Sequence, residues 1–149
     1  MKIGIANDHR GMEHNKRITK MLEQMGYEVV NYGPKVLDPL DDYPDFAFAL
    51  GKAVVKGEVE RGILICRTGI GISIACNKVK GIRCAKVTTV EEARLCRVDN
   101  DANVITVSYE YSEKRLKRIL ETFLTTKHST HPRHQKRIDK ITRFEQNEL

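Results

Sequence analysis

The chain has 149 residues, 40% of them hydrophobic and 31% charged, with a formal net charge of +6. That length fits one domain over residues 1–149 with a real core, and is too short for two independently stable units. The opening MKIGIANDHRG turns charged by residue 8 and no apolar run is long enough to cross a bilayer, which predicts no signal peptide, no membrane partner and a soluble, cytoplasmic protein.

In chain order, Lys2–Ala6 reads as a first strand and Gly11–Met25 as a helix that Gly26 stops. Tyr27–Asn31 is a second strand, and Asp45–Lys56, entered after Pro44 and left before Gly57, is a second helix. Gly62–Cys66 reads as a third strand followed by a helix over Ser73–Val79. Ile82–Val87 and Asn103–Val107 are the fourth and fifth, followed by helices over Val90–Val98 and Ser112–Thr126. His131–Gln146 makes a final basic helix that no strand follows, free to pack on a partner subunit. Ile- and Val-rich strands alternating with helices predict an α/β fold: a Rossmann-like three-layer α/β/α sandwich around a five-stranded parallel sheet with right-handed crossovers.

In such sheets ligands bind beyond the carboxyl ends of the strands. The third strand ends at Cys66, and Arg67-Thr68-Gly69-Ile70-Gly71 leads toward a helix start near Ser73. Glycines let the backbone approach a ligand, and amides at a helix start hold a phosphate or a developing enediolate oxygen, so this segment is an anion cradle. The same positive potential favours a thiolate at Cys66, which would take a proton from carbon beside a carbonyl. Equally, Cys66 reads as the last buried residue of its strand. The loop has no Gly-Lys-Ser/Thr ending and lacks a third glycine, so no nucleotide cofactor is expected.

Asp8 and His9 follow the first strand, where Asp8 either orients a substrate hydroxyl or caps the next helix, and His9 contacts phosphate or moves a proton. Arg133 and Arg137 are one helical turn apart beside His134, a spacing that either clamps a dianion or forms a solvated face. His128, His131 and His134 repeat every three residues, but Pro132 interrupts them and no acidic partner is close in sequence, so no metal is expected. Cys76, Cys84 and Cys96 read as reduced, small core residues. The basic excess belongs to residues 111–149, with ten Lys and Arg against five Asp and Glu. No aromatic stacking platform accompanies it, so nucleic acid is not an expected partner.

Asp8-His9, Asp42-Tyr43-Pro44-Asp45, Gly62–Ala75, Asn77-Lys78, Gly81-Ile82-Arg83, Asn100–Val104 and Arg133-His134 together resemble the ribose-5-phosphate isomerase B family, which includes the galactose-6-phosphate isomerase subunits. The resemblance spans nearly the whole chain. It implies an aldose–ketose isomerase of a phosphorylated sugar working through a cis-enediol without cofactor, as a homodimer or dimer of dimers with shared active sites. By position, Cys66 is implied as the base, Thr68 as its assistant and Asp8 as the ligand of substrate hydroxyls. Gly69, Ile70, Gly71 and Ser73 are implied around the enediolate, His9, Arg133 and Arg137 at the phosphate, and Tyr43 and Asn100 as further substrate-binding residues.

Three positions depart from the family pattern. Asp99 stands where ribose-5-phosphate isomerases carry the histidine assigned to ring opening. Ser108-Tyr109-Glu110 replaces a Gly-x-Arg whose arginine reaches the phosphate, and Arg67 replaces a glycine after the cysteine. Arg67 then either supplies the charge that Glu110 removes or pairs with Asp99 or Glu110; the substrate is either an open-chain sugar that needs no ring opening, or Asp99 opens the ring as a carboxylate base or recognises a different sugar hydroxyl. A catalytically silent sugar-phosphate-binding protein or partner subunit is the alternative reading.

Overall fold

The computed structural model describes residues 1–148; Leu149, the end of the expected domain, lies outside the described residues. Five strands, β1 (Lys2–Asn7), β2 (Glu28–Asn31), β3 (Arg61–Cys66), β4 (Cys84–Lys86) and β5 (Val104–Ser108), form one sheet in the order β2-β1-β3-β5-β4. Every pairing is parallel. The helices are α1 (Met12–Gln24), α2 (Tyr43–Val55), α3 (Ile70–Cys76), α4 (Val90–Val98), α5 (Glu113–Thr125) and α6 (Pro132–Glu145), with a 3₁₀ turn over His9–Gly11.

The strands alternate between two cores. Ile3, Ile5, Ile63, Ile65, Ile105 and Val107 pack under α1, α4 and α5, while Ala6, Leu64 and Val104 pack under α2 and α3. Gly4 and Gly62 are register partners on β1 and β3, and Leu50 of α2 lies in the groove their missing side chains leave. The expected three-layer sandwich is therefore present, with helices on both faces of the sheet.

Three elements differ by two residues or more from the sequence reading, the first being the second helix, which begins at Tyr43 instead of Asp45. The fourth strand is Cys84–Lys86, shorter than Ile82–Val87, because Ile82 and Arg83 belong to the turn that enters it. The third helix begins at Ile70 instead of Ser73 and ends at Cys76, because Gly69 adopts the left-handed conformation (φ 75°) that turns the chain directly from the strand into the helix.

The short edge strand β4 is protected by a side chain. Asn77 Nδ2 donates to the Cys84 carbonyl at 2.9 Å while Cys84 N donates to Asn77 Oδ1 at 2.8 Å, so the amide mimics a neighbouring strand. Asn103 treats the preceding turn alike, accepting from Arg83 N and donating to Gly81 O. Although Asn77 is exposed, Asn77→Ala should cost about 1–3 kcal/mol in urea unfolding, since two hydrogen bonds at a sheet edge are lost. An ordinary surface position would change by less than about 0.5 kcal/mol.

Candidate active site

All strands run the same way, so the residues following them gather on one edge of the sheet, called here the upper edge. Asn7 ends β1 and is buried. Its Oδ1 accepts from Asn15 Nδ2 at 2.5 Å, Asn15 also donates to Asn31 Oδ1 at 3.0 Å, and Asn7 Nδ2 donates to the Asp8 carbonyl at 2.7 Å. Three asparagines from β1, α1 and β2 thus fix the backbone immediately before Asp8. A Cβ on Gly11 or Gly33 would lie within 2.7 Å of Asn7 atoms, so both glycines are needed where the chain closes over this network.

Asp8 caps the 3₁₀ turn by accepting from Arg10 N at 3.1 Å. His9 Nδ1 lies 2.6 Å from Asp41 Oδ1. Asp8, His9 and Asp41 offer donor atoms all within 4.8 Å of one another, the donor types a metal would take, but His9 Nδ1 is already spent on Asp41.

Cys66, half-buried, ends β3 beside this turn. The Ile70 amide donates to Thr68 Oγ1 at 3.2 Å and the Ser73 amide to Gly69 O at 3.3 Å. These two amides, within the segment expected as a cradle from Gly69 to Ser73, are therefore committed within the chain. Ser73 Oγ likewise donates to Ile70 O. The amides of Gly69, Gly71 and Ile72 have no partner among the described residues and are the ones left open in the expected cradle. Gly69 sits against Thr106, where a Cβ would lie 2.7 Å from Oγ1, and Gly71 against the Tyr43 ring, where a Cβ would lie 2.6 Å from the hydroxyl. Thus α2 brings Tyr43 to the rim of the cradle.

Arg67 points along the same rim. Its carbonyl accepts from Ser108 Oγ at 2.7 Å, and its Nε lies 3.3 Å from Glu110 Oε1. Of the two partners open to Arg67 in sequence, the structure selects Glu110; both side chains are mostly solvent-exposed, which keeps the pair weak.

Asp99, Asn100, Arg133 and Arg137 do not join this cluster. They lie at the opposite, lower edge, because α4 carries the chain back along the sheet and ends at Asp99 before β5 begins at Val104. Cys66 is level with Ser108 at the far end of β5. About 15 Å of strand separates the two groups. At the lower edge Asp99 Oδ1 lies 3.6 Å from His134 Nε2, which corrects the expectation that the histidine run has no acidic neighbour: the chain folds back, and Ser129 N donates to Val98 O. Arg133 and Arg137 are exposed, and among the described residues neither guanidinium has a hydrogen-bond or ion-pair partner. Beneath them Arg97 is buried, donating to Asp101 Oδ1, Ala102 O and Thr126 O.

The other cysteines are packing residues. Burial pushes the Cys96 thiol up to about 11, and Cys84 is pushed well above the usual thiol range by its hydrogen bond with Cys76 and by burial. Such thiols stay protonated and unreactive. Sequence reasoning missed Asp41 and the asparagine network. An Asp in the loop before the second helix looks like any loop acid, and no periodicity links Asn7, Asn15 and Asn31.

The family described as Ribose/Galactose Isomerase matches residues 3–141. A Mycoplasma pneumoniae protein named probable ribose-5-phosphate isomerase B is 43% identical over 145 residues, covering 96% of this chain and 94% of that one. Ribose-5-phosphate isomerase B of Mycobacterium tuberculosis is 36% identical over 146 residues, 97% of this chain and 90% of that one. Among solved structures, the Clostridium thermocellum ribose-5-phosphate isomerase B superposes with a TM-score of 0.92 at 40% identity over 100% of both chains. The Mycoplasma genitalium ribose-5-phosphate isomerase B with bound ribulose-5-phosphate gives 0.89 at 41% identity over 97% of this chain and 96% of that one.

The close fit of the cradle against β5 is testable with two glycines of nearly equal backbone angle, Gly69 (φ 75°) and Gly57 (φ 76°). A Cβ at Gly57 would meet nothing within 4 Å, so Gly57→Ala should cost only the left-handed strain, about 1 kcal/mol. Gly69→Ala should cost about 1–3 kcal/mol more in urea unfolding because it also meets Thr106.

Proposed function

The chain belongs to the ribose/galactose isomerase family, and from that premise we infer that it interconverts the aldose and ketose forms of a phosphorylated sugar, of the ribose 5-phosphate type. The observation that carries the chemistry is Cys66 beside a cradle of uncommitted amides. In this reading Cys66 Sγ, as thiolate, takes the proton from C2 of the open-chain aldose. The electron pair moves into a C1–C2 double bond, and the former carbonyl oxygen becomes an enediolate that the Gly71 and Ile72 amides stabilise. Return of the proton to C1, with the O2 hydroxyl proton passing to O1, yields the ketose. Nothing is oxidised overall, so no redox cofactor enters. Thr68 Oγ1 already accepts from Ile70 N, which leaves its own proton to donate toward the reacting oxygens.

The lower-edge residues complete the site from a second copy. Arg133 and Arg137 offer unpaired guanidiniums for the phosphate, and Asp99 and Asn100 flank them, too far along the sheet to reach Cys66 of their own chain. A two-fold dimer places each upper edge against the other copy's lower edge and makes two equivalent sites. Exposed apolar side chains support it: Ile70 and Ile74 on α3, Val55 at the end of α2, and Ile141 and Phe144 on α6. The last helix also holds its own chain, through buried Ile138 and through Glu145 Oε2, which accepts from Gly81 N. Four unpaired cysteines suit a reducing, cytoplasmic setting.

Substrate choice falls to the three departures. The Glu110 carboxylate repels a phosphate and is itself held by Arg67, while Asp99 with His134 is a carboxylate–imidazole pair where the ring-opening step would occur. Incubation with ribose 5-phosphate, allose 6-phosphate, galactose 6-phosphate and erythrose 4-phosphate in deuterated water, followed by NMR, identifies the sugar by deuterium entry at C2 and ketose formation. Cys66→Ala is expected to abolish both, by at least about a thousandfold. Binding without exchange across the panel would instead make the chain a silent partner subunit.

A further inference from the structure

The Asp41 side chain is 8% exposed although its loop neighbours Val36, Leu37 and Leu40 stand in solvent. Removing a carboxylate from water is unfavourable unless it is paired and hydrogen-bonded, so its partners must justify its place. Oδ1 meets His9 twice, accepting from Nδ1 at 2.6 Å and from the backbone amide at 3.3 Å. Oδ2 is buried with no partner among the described residues. The loop is shaped to deliver this group: Leu40 N donates to Asp38 Oδ1 and Asp41 N to Asp38 O, closing a tight turn. Two residues later Tyr43 begins α2 and meets Gly71 in the cradle. One short segment thus touches both His9 and the cradle.

We propose that Asp41 is a positioning residue of this site, fixing the His9 ring so that Nε2 alone is left to meet the phosphate group of the substrate. The chemistry follows from the ring. With Nδ1–H donated to a carboxylate, neutral imidazole presents a lone pair at Nε2, which a phosphate oxygen would repel. Donation from Nε2 needs a second proton, taken from solvent or from the phosphate monoanion, and the Asp41 charge offsets the imidazolium so formed. The carboxylate therefore sets both the direction of the ring and the charge state in which it binds. The proposal rests on the isomerase reading only for the identity of the anion, so its test uses inorganic phosphate as well as the sugar.

The experiment is imidazole-nitrogen NMR on the full-length ¹⁵N-labelled chain, with the His9 signals assigned by their loss in His9→Gln, combined with phosphate titration and steady-state kinetics. In the wild type His9 should carry its proton on Nδ1. Asp41→Ala should move that proton largely to Nε2, weaken phosphate binding about tenfold or more, and raise KM by the same factor with kcat changed less than about threefold. Asp41→Asn keeps an acceptor of the same shape without the charge. It should preserve the Nδ1 proton yet still bind phosphate about tenfold more weakly. Survival of the Nδ1 proton in Asp41→Ala, or phosphate binding as tight as wild type in Asp41→Asn, would overturn the assignment; the isosteric variant decides the matter should Asp41→Ala fail to fold. A wild type that turns over no sugar would defeat the isomerase reading, while the ring's protonation and the phosphate titration would still decide the role of Asp41.

Discussion

The polarity of a parallel sheet governs this molecule. With all five strands pointing one way, whatever follows a strand is delivered to the upper edge and whatever precedes one to the lower edge, and no side chain spans the distance between. Asp8, His9, Cys66 and the cradle follow β1 and β3, the central pair where the crossovers diverge onto opposite faces. Asp99, Asn100 and the helix bearing Arg133 and Arg137 are tied to the turns that enter β4 and β5. The proposed chemistry needs both groups, so it is the proposal that calls for a second chain.

Rigidity at the upper edge comes from buried polar contacts as much as from the apolar core. The asparagine network under Asp8 leaves little freedom to the turn above it, since an unmade hydrogen bond there would cost more than a made one contributes. Gly69 and Gly71 let the cradle approach Thr106 and Tyr43 more closely than any side chain would allow. In the proposed chemistry, amides held in this way need no reorganisation when charge develops beside them. The cost is carried by residues held in demanding positions: a left-handed glycine, a carboxylate with a buried unpartnered oxygen, and arginines beneath the lower edge. Arg61 is held below the usual guanidinium range by burial and by Arg97 beside it.

The layers and the strand sequence were legible because apolar runs such as Gly-Ile-Leu-Ile and Val-Ile-Thr-Val have few other ways to be buried on both faces. Helix ends were legible where Gly26, Pro44 and Gly57 mark them. The start of α3 was not, because the left-handed turn at Gly69 starts the helix at Ile70, three residues before Ser73. The residue types at the site were readable one strand end at a time, but their grouping was not. Asp99 with His134, Arg67 with Glu110 and Asp41 with His9 are contacts across 35, 43 and 32 positions, and single-sequence spacing carries no information at that range. Asn77 entered the sequence reading only through the resemblance, and its closing of a sheet edge shows only in the structure.

That the two edges meet between copies is tested most directly by mixing two inactive variants, one with Cys66→Ala at the upper edge and one with Arg133→Ala and Arg137→Ala at the lower. In a mixed dimer one site receives every lesion and the other receives none. Random reassortment should therefore restore about one quarter of wild-type turnover, half of the dimers each carrying one intact site. A mixture as inactive as its parents, with mixed dimers demonstrated by native mass spectrometry, would contradict the account and require both groups to act within one chain.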